Sequence, residues 1–99
     1  MIKNIFVKLK NKEKISEEYL SKEKEYNMNY EIIARACQNN IEIVLGQHIE
    51  NKDKYVTWQC TKDSDNIKIY RWGNYFYDKK SAIIDFNQRV YMLEKQKII

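Results

Sequence analysis

Side chains able to do covalent or metal chemistry are few in this chain, and their spacing does not suit it. His48 is the one histidine. A nucleophilic Cys37 or Cys60 would need it as base, with a third group to orient the ring. No spacing in the sequence suggests that arrangement, and both thiols read as small buried hydrophobes. Asp63, Asp65 and Asn66 have the oxygen-rich character of a calcium loop, but the glycine and the later bidentate glutamate are missing. They read as solvated turn residues. There is no CxxC pair or HExxH. With Gly46 and Gly73 as the only glycines, a glycine-rich phosphate cradle is excluded. No catalytic residue, metal ligand or cofactor is expected.

Rings beside charge are the more promising chemistry. The chain has 8 tyrosines, 2 tryptophans and 3 phenylalanines in 99 residues. They are densest from Ile67 to Tyr77, where Tyr70, Arg71, Trp72 and Tyr75 precede Lys79. Aromatic and arginine side chains together are the usual composition of protein-interface hot spots. The same rings beside Lys68 and Arg71 also suit base stacking and phosphate contact. Tyr70, Arg71, Trp72, Tyr75 and Lys79 are therefore the expected partner-binding residues.

Charge narrows the partner without fixing it. The net charge is +4, and the excess sits in residues 67–99, which hold seven basic and three acidic side chains. A protein built mainly to hold a phosphate backbone shows a stronger basic stripe. Nucleic acid is thus permitted, not demanded, and a homodimer is also open. The N-terminal stretch lacks the apolar run and cleavage site of a signal peptide, and no segment reaches a membrane span. A cytoplasmic protein with reduced cysteines and no membrane partner is expected.

The elements that must position these residues follow from periodicity. Residues 67–76 alternate and are rich in aromatics, which predicts a strand through Tyr70, Trp72 and Phe76. Asp78 is an N-cap candidate, with Tyr77 placed to staple onto Ala82. Ala82, Ile83, Phe86, Val90 and Leu93 then form one apolar helical stripe. Upstream, Ile41–Leu45 and Tyr55–Cys60 read as strands. Tyr30–Cys37 suits a strand or a helix, with a hairpin over Tyr30–Gly46 preferred. Ile5, Val7 and Leu9 alternate weakly, as in a strand. Ser16 is placed to cap a short helix running to about Tyr26, with Ile15 stapling onto Leu20.

The resulting expectation is an α+β domain over residues 28–99: a curled antiparallel sheet of three to four strands, its C-terminal amphipathic helix packed on one face. Residues 1–27 form a peripheral arm or helix. On the key strand, alternation puts Tyr70, Trp72 and Phe76 on one face, and Ile69, Arg71, Tyr75 and Tyr77 on the other, with Gly73 interrupting. One helix covers one face, so aromatics are left near solvent.

Met28 to Arg89 resembles a group of small, uncharacterised proteins of phages and conjugative elements in low-GC bacteria. The residues carrying the likeness are Glu42-Ile43-Val44-Leu45-Gly46, Tyr55-Val56-Thr57-Trp58, Trp72-Gly73-Asn74-Tyr75-Phe76, and Ala82 with Asp85, Phe86 and Arg89. The resemblance implies no active site. It implies a setting in which small accessory proteins antagonise host defence, for instance as anti-CRISPR or anti-restriction factors. The expected function is a non-catalytic binding protein that docks on a host protein or nucleoprotein. Direct RNA or DNA binding through the same strip is the alternative.

Overall fold

The computed structural model describes residues 13–96. The weak strand signature at Ile5–Leu9 lies outside the described residues. Five antiparallel strands form a simple meander in the order β1-β2-β3-β4-β5. They are β1 (Tyr26–Asn27), β2 (Tyr30–Gln38), β3 (Ile41–His48), β4 (Tyr55–Lys62) and β5 (Lys68–Phe76), followed by helix α1 (Lys79–Gln96). The expected α+β class is present, with five strands in place of three to four. The extra strand arises because Met28, at φ 55, lets the chain fold Tyr26–Asn27 back onto Tyr30–Glu31. No helix among the described residues is long and apolar enough to cross a membrane.

Turn chemistry sets the register. Asn39 and Asn40 both have positive φ, 53° and 68°, the signature of a type I′ hairpin turn, and pairing resumes at once with Gln38 opposite Ile41. The preferred hairpin over Tyr30–Gly46 is formed. His48 Nδ1 accepts the amide hydrogens of Glu50 and Asn51, closing the β3–β4 connection. Asp63 Oδ1 accepts those of Asp65 and Ile67 in the β4–β5 turn, so the aspartates there serve as turn residues.

Helix α1 starts as its sequence dictates. Asp78 Oδ2 accepts the Ser81 amide hydrogen at 2.8 Å, an N-cap bond. The expected stripe Ala82, Ile83, Phe86, Val90 and Leu93 is buried against Ala34, Ala36, Ile43, Leu45 and Tyr55. Full burial of a side chain such as Phe86 contributes roughly 1.5–3 kcal/mol. The Tyr77 staple does not form. Its ring turns outward, exposed, with Lys54 Nζ 5.9 Å from the ring centroid.

The helix expected from Ser16 shrinks to a single 3-10 turn, Glu17–Tyr19. Sheet hydrogen bonds win beyond it: the Ser21 amide donates to the Ile33 carbonyl, and the Ile32 amide donates to the Glu25 carbonyl. A mostly charged helix has too thin an apolar face to compete with those bonds. Ile15 packs instead with Tyr19 on the core under α1.

Candidate partner-binding surface on the outer strand

Strand β5 ends the sheet, and its pairing with β4 contains a bulge that decides where its side chains point. Thr57 pairs with Asn74 and Gln59 with Arg71, so Trp58 alone opposes both Trp72 and Gly73. The extra residue reverses the alternation. Tyr70 and Tyr75 share a face with Trp58, at ring-centroid distances of 5.5 and 6.3 Å. Arg71, Trp72, Asn74 and Phe76 belong to the helix-facing side. The expected grouping of Tyr70, Trp72 and Phe76 is therefore corrected. Tyr70 leaves that row, because strict alternation fails wherever one strand carries an extra residue.

Backbone geometry at the bulge is unusual for the residues involved. Trp72 takes φ 53, whereas Gly73 has no positive φ. The glycine is needed for space: a Cβ there would lie 2.8 Å from Trp58 Nε1 and 3.0 Å from Tyr75 Cε1. The bulky residue thus carries the left-handed conformation, at a cost of roughly 1–3 kcal/mol. Arg89 helps hold it, its Nη2 donating to the Trp72 carbonyl at 2.6 Å.

Between β5 and α1 runs a groove of about 430 Å³, lined by Ile43, Gln59, Trp72, Asn74, Asp85, Gln88, Arg89, Met92 and Leu93. Its walls are tied together by Asp85. One carboxylate oxygen, Oδ2, accepts from Thr57 Oγ1 at 2.5 Å and from Asn74 Nδ2 at 3.2 Å, with Arg89 Nε at 3.3 Å. Thr57 is fully buried, so this contact also satisfies a hydroxyl that would otherwise be stranded. Trp72, 64% exposed, and Met92, 54% exposed, stand at the rim.

The opposite face of the curled sheet is furnished differently. Trp58, 4% exposed, is ringed edge-on by Tyr30, Tyr70 and Tyr75 above Ile32, Val44 and Val56. One end is closed by an ionic cluster. Glu25 Oε1 lies 2.6 Å from Arg35 Nη2 and 2.8 Å from Lys68 Nζ, and Glu25 Oε2 accepts from the Tyr70 hydroxyl. Glu42 Oε1 makes no hydrogen bond, but it sits 3.6 and 3.5 Å from the same two cations. Burial alone would raise the Glu25 carboxyl. Bonds from Lys68, Tyr70 and Arg35 outweigh it and hold the group down at about 2. Burial and the Glu25 bond push the Tyr70 hydroxyl upward, so it stays a donor.

The five expected contact residues are thus not one patch. Tyr70 is consumed by Glu25, and Tyr75 is exposed on the Trp58 face. Arg71 and Trp72 lie toward the groove, and exposed Lys79 begins the helix. Sequence reasoning passed over Met92, Gln88 and the tie made by Asp85 and Arg89. The i,i+4 spacing of Asp85 and Arg89 was the available signal.

As for reactive groups, Cys37 and Cys60 both neighbour Glu42 across the ladder, six residues along β3 from His48, or about 20 Å. Burial pushes the Cys60 thiol up to about 11, away from the reactive thiolate. Among the described residues no group of three or more His, Cys, Asp or Glu side chains is placed to hold a metal ion. No family model, curated protein or solved structure matches the chain.

Proposed function

We propose that this chain is a small non-catalytic binding protein that docks on a protein or nucleoprotein of its host through the groove side of β5. The observation that carries the proposal is Trp72: a large ring, 64% exposed, held at φ 53 on the sheet's last strand. Strain of this kind persists only where surrounding contacts enforce it, and it concentrates at binding and active sites. Gly73, Arg89 and Asp85 supply that enforcement. Tryptophan and arginine are also among the residue types most enriched at interface hot spots.

The likeness to phage and conjugative-element proteins suggests the setting. Docking there would serve to inhibit a host defence system such as CRISPR-Cas, by masking a protein or guide-RNA surface. The net charge of +4 speaks against mimicry of DNA. Direct nucleic-acid binding is the second reading, favoured by exposed Tyr75 and Tyr77 with Lys54 on the other face.

Affinity purification of the tagged chain from host cells, with and without nuclease, tests the proposal. A nuclease-resistant protein, lost when Trp72→Gly is used as bait, supports docking through β5. Recovery of nucleic acid alone, lost on nuclease treatment and falling steeply with salt, would replace it with the second reading.

A further inference from the structure

The groove beside Trp72 also limits what the partner presents to it. Its floor is aliphatic, from Ile43 and Leu93, and its rim is Trp72 and Met92. About 430 Å³ is the size of a small-ligand cleft, room for a few side chains of an extended segment and too little for a folded element. The single carboxylate in the lining, Asp85, is engaged by Thr57, Asn74 and Arg89. Arg89 in turn is engaged by Asp85 and by the Trp72 carbonyl.

Two cations beside the groove have no carboxylate partner among the described residues. Arg71 is exposed on the groove side of β5, directly opposite Gln59 of the lining. Lys95 is exposed on α1, at i+3 from Met92 and i+7 from Gln88, so it continues the helix row that forms the other wall. Its Nζ lies 5.2 Å from the Tyr91 ring centroid, a contact that leaves the charge uncompensated. A guanidinium thus flanks the β5 wall and an ammonium the end of the helix row, beside a groove in which Gln59, Asn74 and Gln88 share the lining with the apolar side chains.

We infer that the groove between β5 and α1 binds an acidic segment of the protein partner, seating an apolar side chain between Trp72 and Met92 while flanking carboxylates meet Arg71 and Lys95. The inference rests on the docking proposal and names the chemistry of its partner. Nucleic acid fits this slot less well. Trp72 is the one ring in the lining, where stacking needs successive rings, and two free cations make a short row for a phosphate backbone. A second copy of the chain also fits poorly, since each carries +4.

The test is selection of random linear peptides against the full chain, followed by titration of the enriched synthetic peptides. Fluorescence anisotropy of a dye-labelled peptide supplies the signal, so the parent and the variant without Trp72 are read in the same way. Enriched peptides are expected to carry Asp or Glu within a few residues of Leu, Met, Phe or Trp. Their affinity should fall about 30-fold or more in Trp72→Gly, the scale of a hot-spot tryptophan. It should fall about tenfold in Arg71→Glu, which reverses a charge at an exposed site and leaves the core untouched. Circular dichroism of both variants separates lost binding from lost fold. Enrichment of neutral or basic peptides overturns the inference, as does affinity unchanged by Arg71→Glu, competition by poly(U) at equal concentration, or no enrichment at all. If the cellular pull-down still yields a protein that depends on Trp72, the acidic class falls while docking stands. If that protein is missing too, both fall.

Discussion

Along β2 the outer edge of the sheet is taken up by the chain that precedes it. Tyr26 and Asn27 pair with Glu31 and Tyr30, Leu20 bridges to Ala34, and the Ser21 amide donates to the Ile33 carbonyl. Along β5, from Lys68 to Phe76, no strand lies beyond among the described residues. Both sides are nonetheless secured by the same device, a carboxylate gathering three donors. Glu25 takes Arg35, Lys68 and Tyr70; Asp85 takes Thr57, Asn74 and Arg89. The first holds a segment of chain over an edge. The second holds a helix beside one and leaves a tryptophan outside. The bulge at Trp72–Gly73 also bends β5, which makes it a poor template for unwanted strand pairing. Exposure on this side is built in, by contacts as specific as those that bury the other.

If the two sides are secured independently, perturbations should separate them, except at the core they share. Phe86 is fully buried under α1 and touches the covered side through Tyr19, at a ring-centroid distance of 6.0 Å. Phe86→Asp places a charge there and is expected to unfold the domain; an unchanged melting temperature would refute the packing. Next in size is Asp85→Ala. It strands the buried Thr57 hydroxyl and releases Arg89 from the bulge, at about 2–3 kcal/mol. Urea denaturation measures the cost. Amide exchange should quicken along β5 and stay unchanged at Ile32, whose amide is held by the Glu25 carbonyl.

Glu25→Gln is the mirror image and somewhat smaller, about 1.5–2.5 kcal/mol, because the nearby Glu42 carboxylate keeps Arg35 and Lys68 partly compensated. Faster exchange should now appear at Ile32 and Ser21, with β5 near Trp72 unaffected. The same residue sets an acid limb. Its carboxyl drops from 4.5 to about 2 on folding, so between those values the unfolded chain binds more protons. Its stabilisation is complete at neutral pH and is lost as pH falls from about 5 towards 2. The urea midpoint should decline over that window, and the decline should be shallower in Glu25→Gln. Equal slopes would remove Glu25 as the source.

The two sides also differ in how far the sequence betrayed them. The helix, its Asp78 cap and the strands β3 to β5 are written in local signals: apolar spacing, turn residues and aromatic alternation. The path of residues 13–27 is not. Their apolar content is low, and what places them is backbone bonding to β2 together with one carboxylate reaching Lys68 and Tyr70, 43 and 45 residues away. On the open side the residue types were legible and their facing was not. In a G1 bulge a glycine takes the positive φ, but here Trp72 occupies that position and Gly73 makes room for Trp58. Gly73 inside the strand marked a possible bulge, but not its effect on facing, and the extra residue sent Tyr70 and Trp72 to opposite faces.

The smallest expected change in stability bears most directly on function. Trp72→Gly removes an exposed ring and puts at φ 53 the one residue that adopts this conformation freely. The fold keeps most of its packing there, since the Arg89 bond is to the Trp72 carbonyl, which remains. Relief of strain is partly offset by the greater freedom glycine gives the unfolded chain. The net is expected to lie between no change and about 1 kcal/mol of stabilisation, read as a urea midpoint equal to or above that of the parent. Partner capture, by contrast, should be lost. Natural chains leave such a gain untaken where activity needs the strained group. A variant that is clearly less stable would mean that Trp72 packs as a structural residue, and the contrast between the two edges would lose its functional meaning.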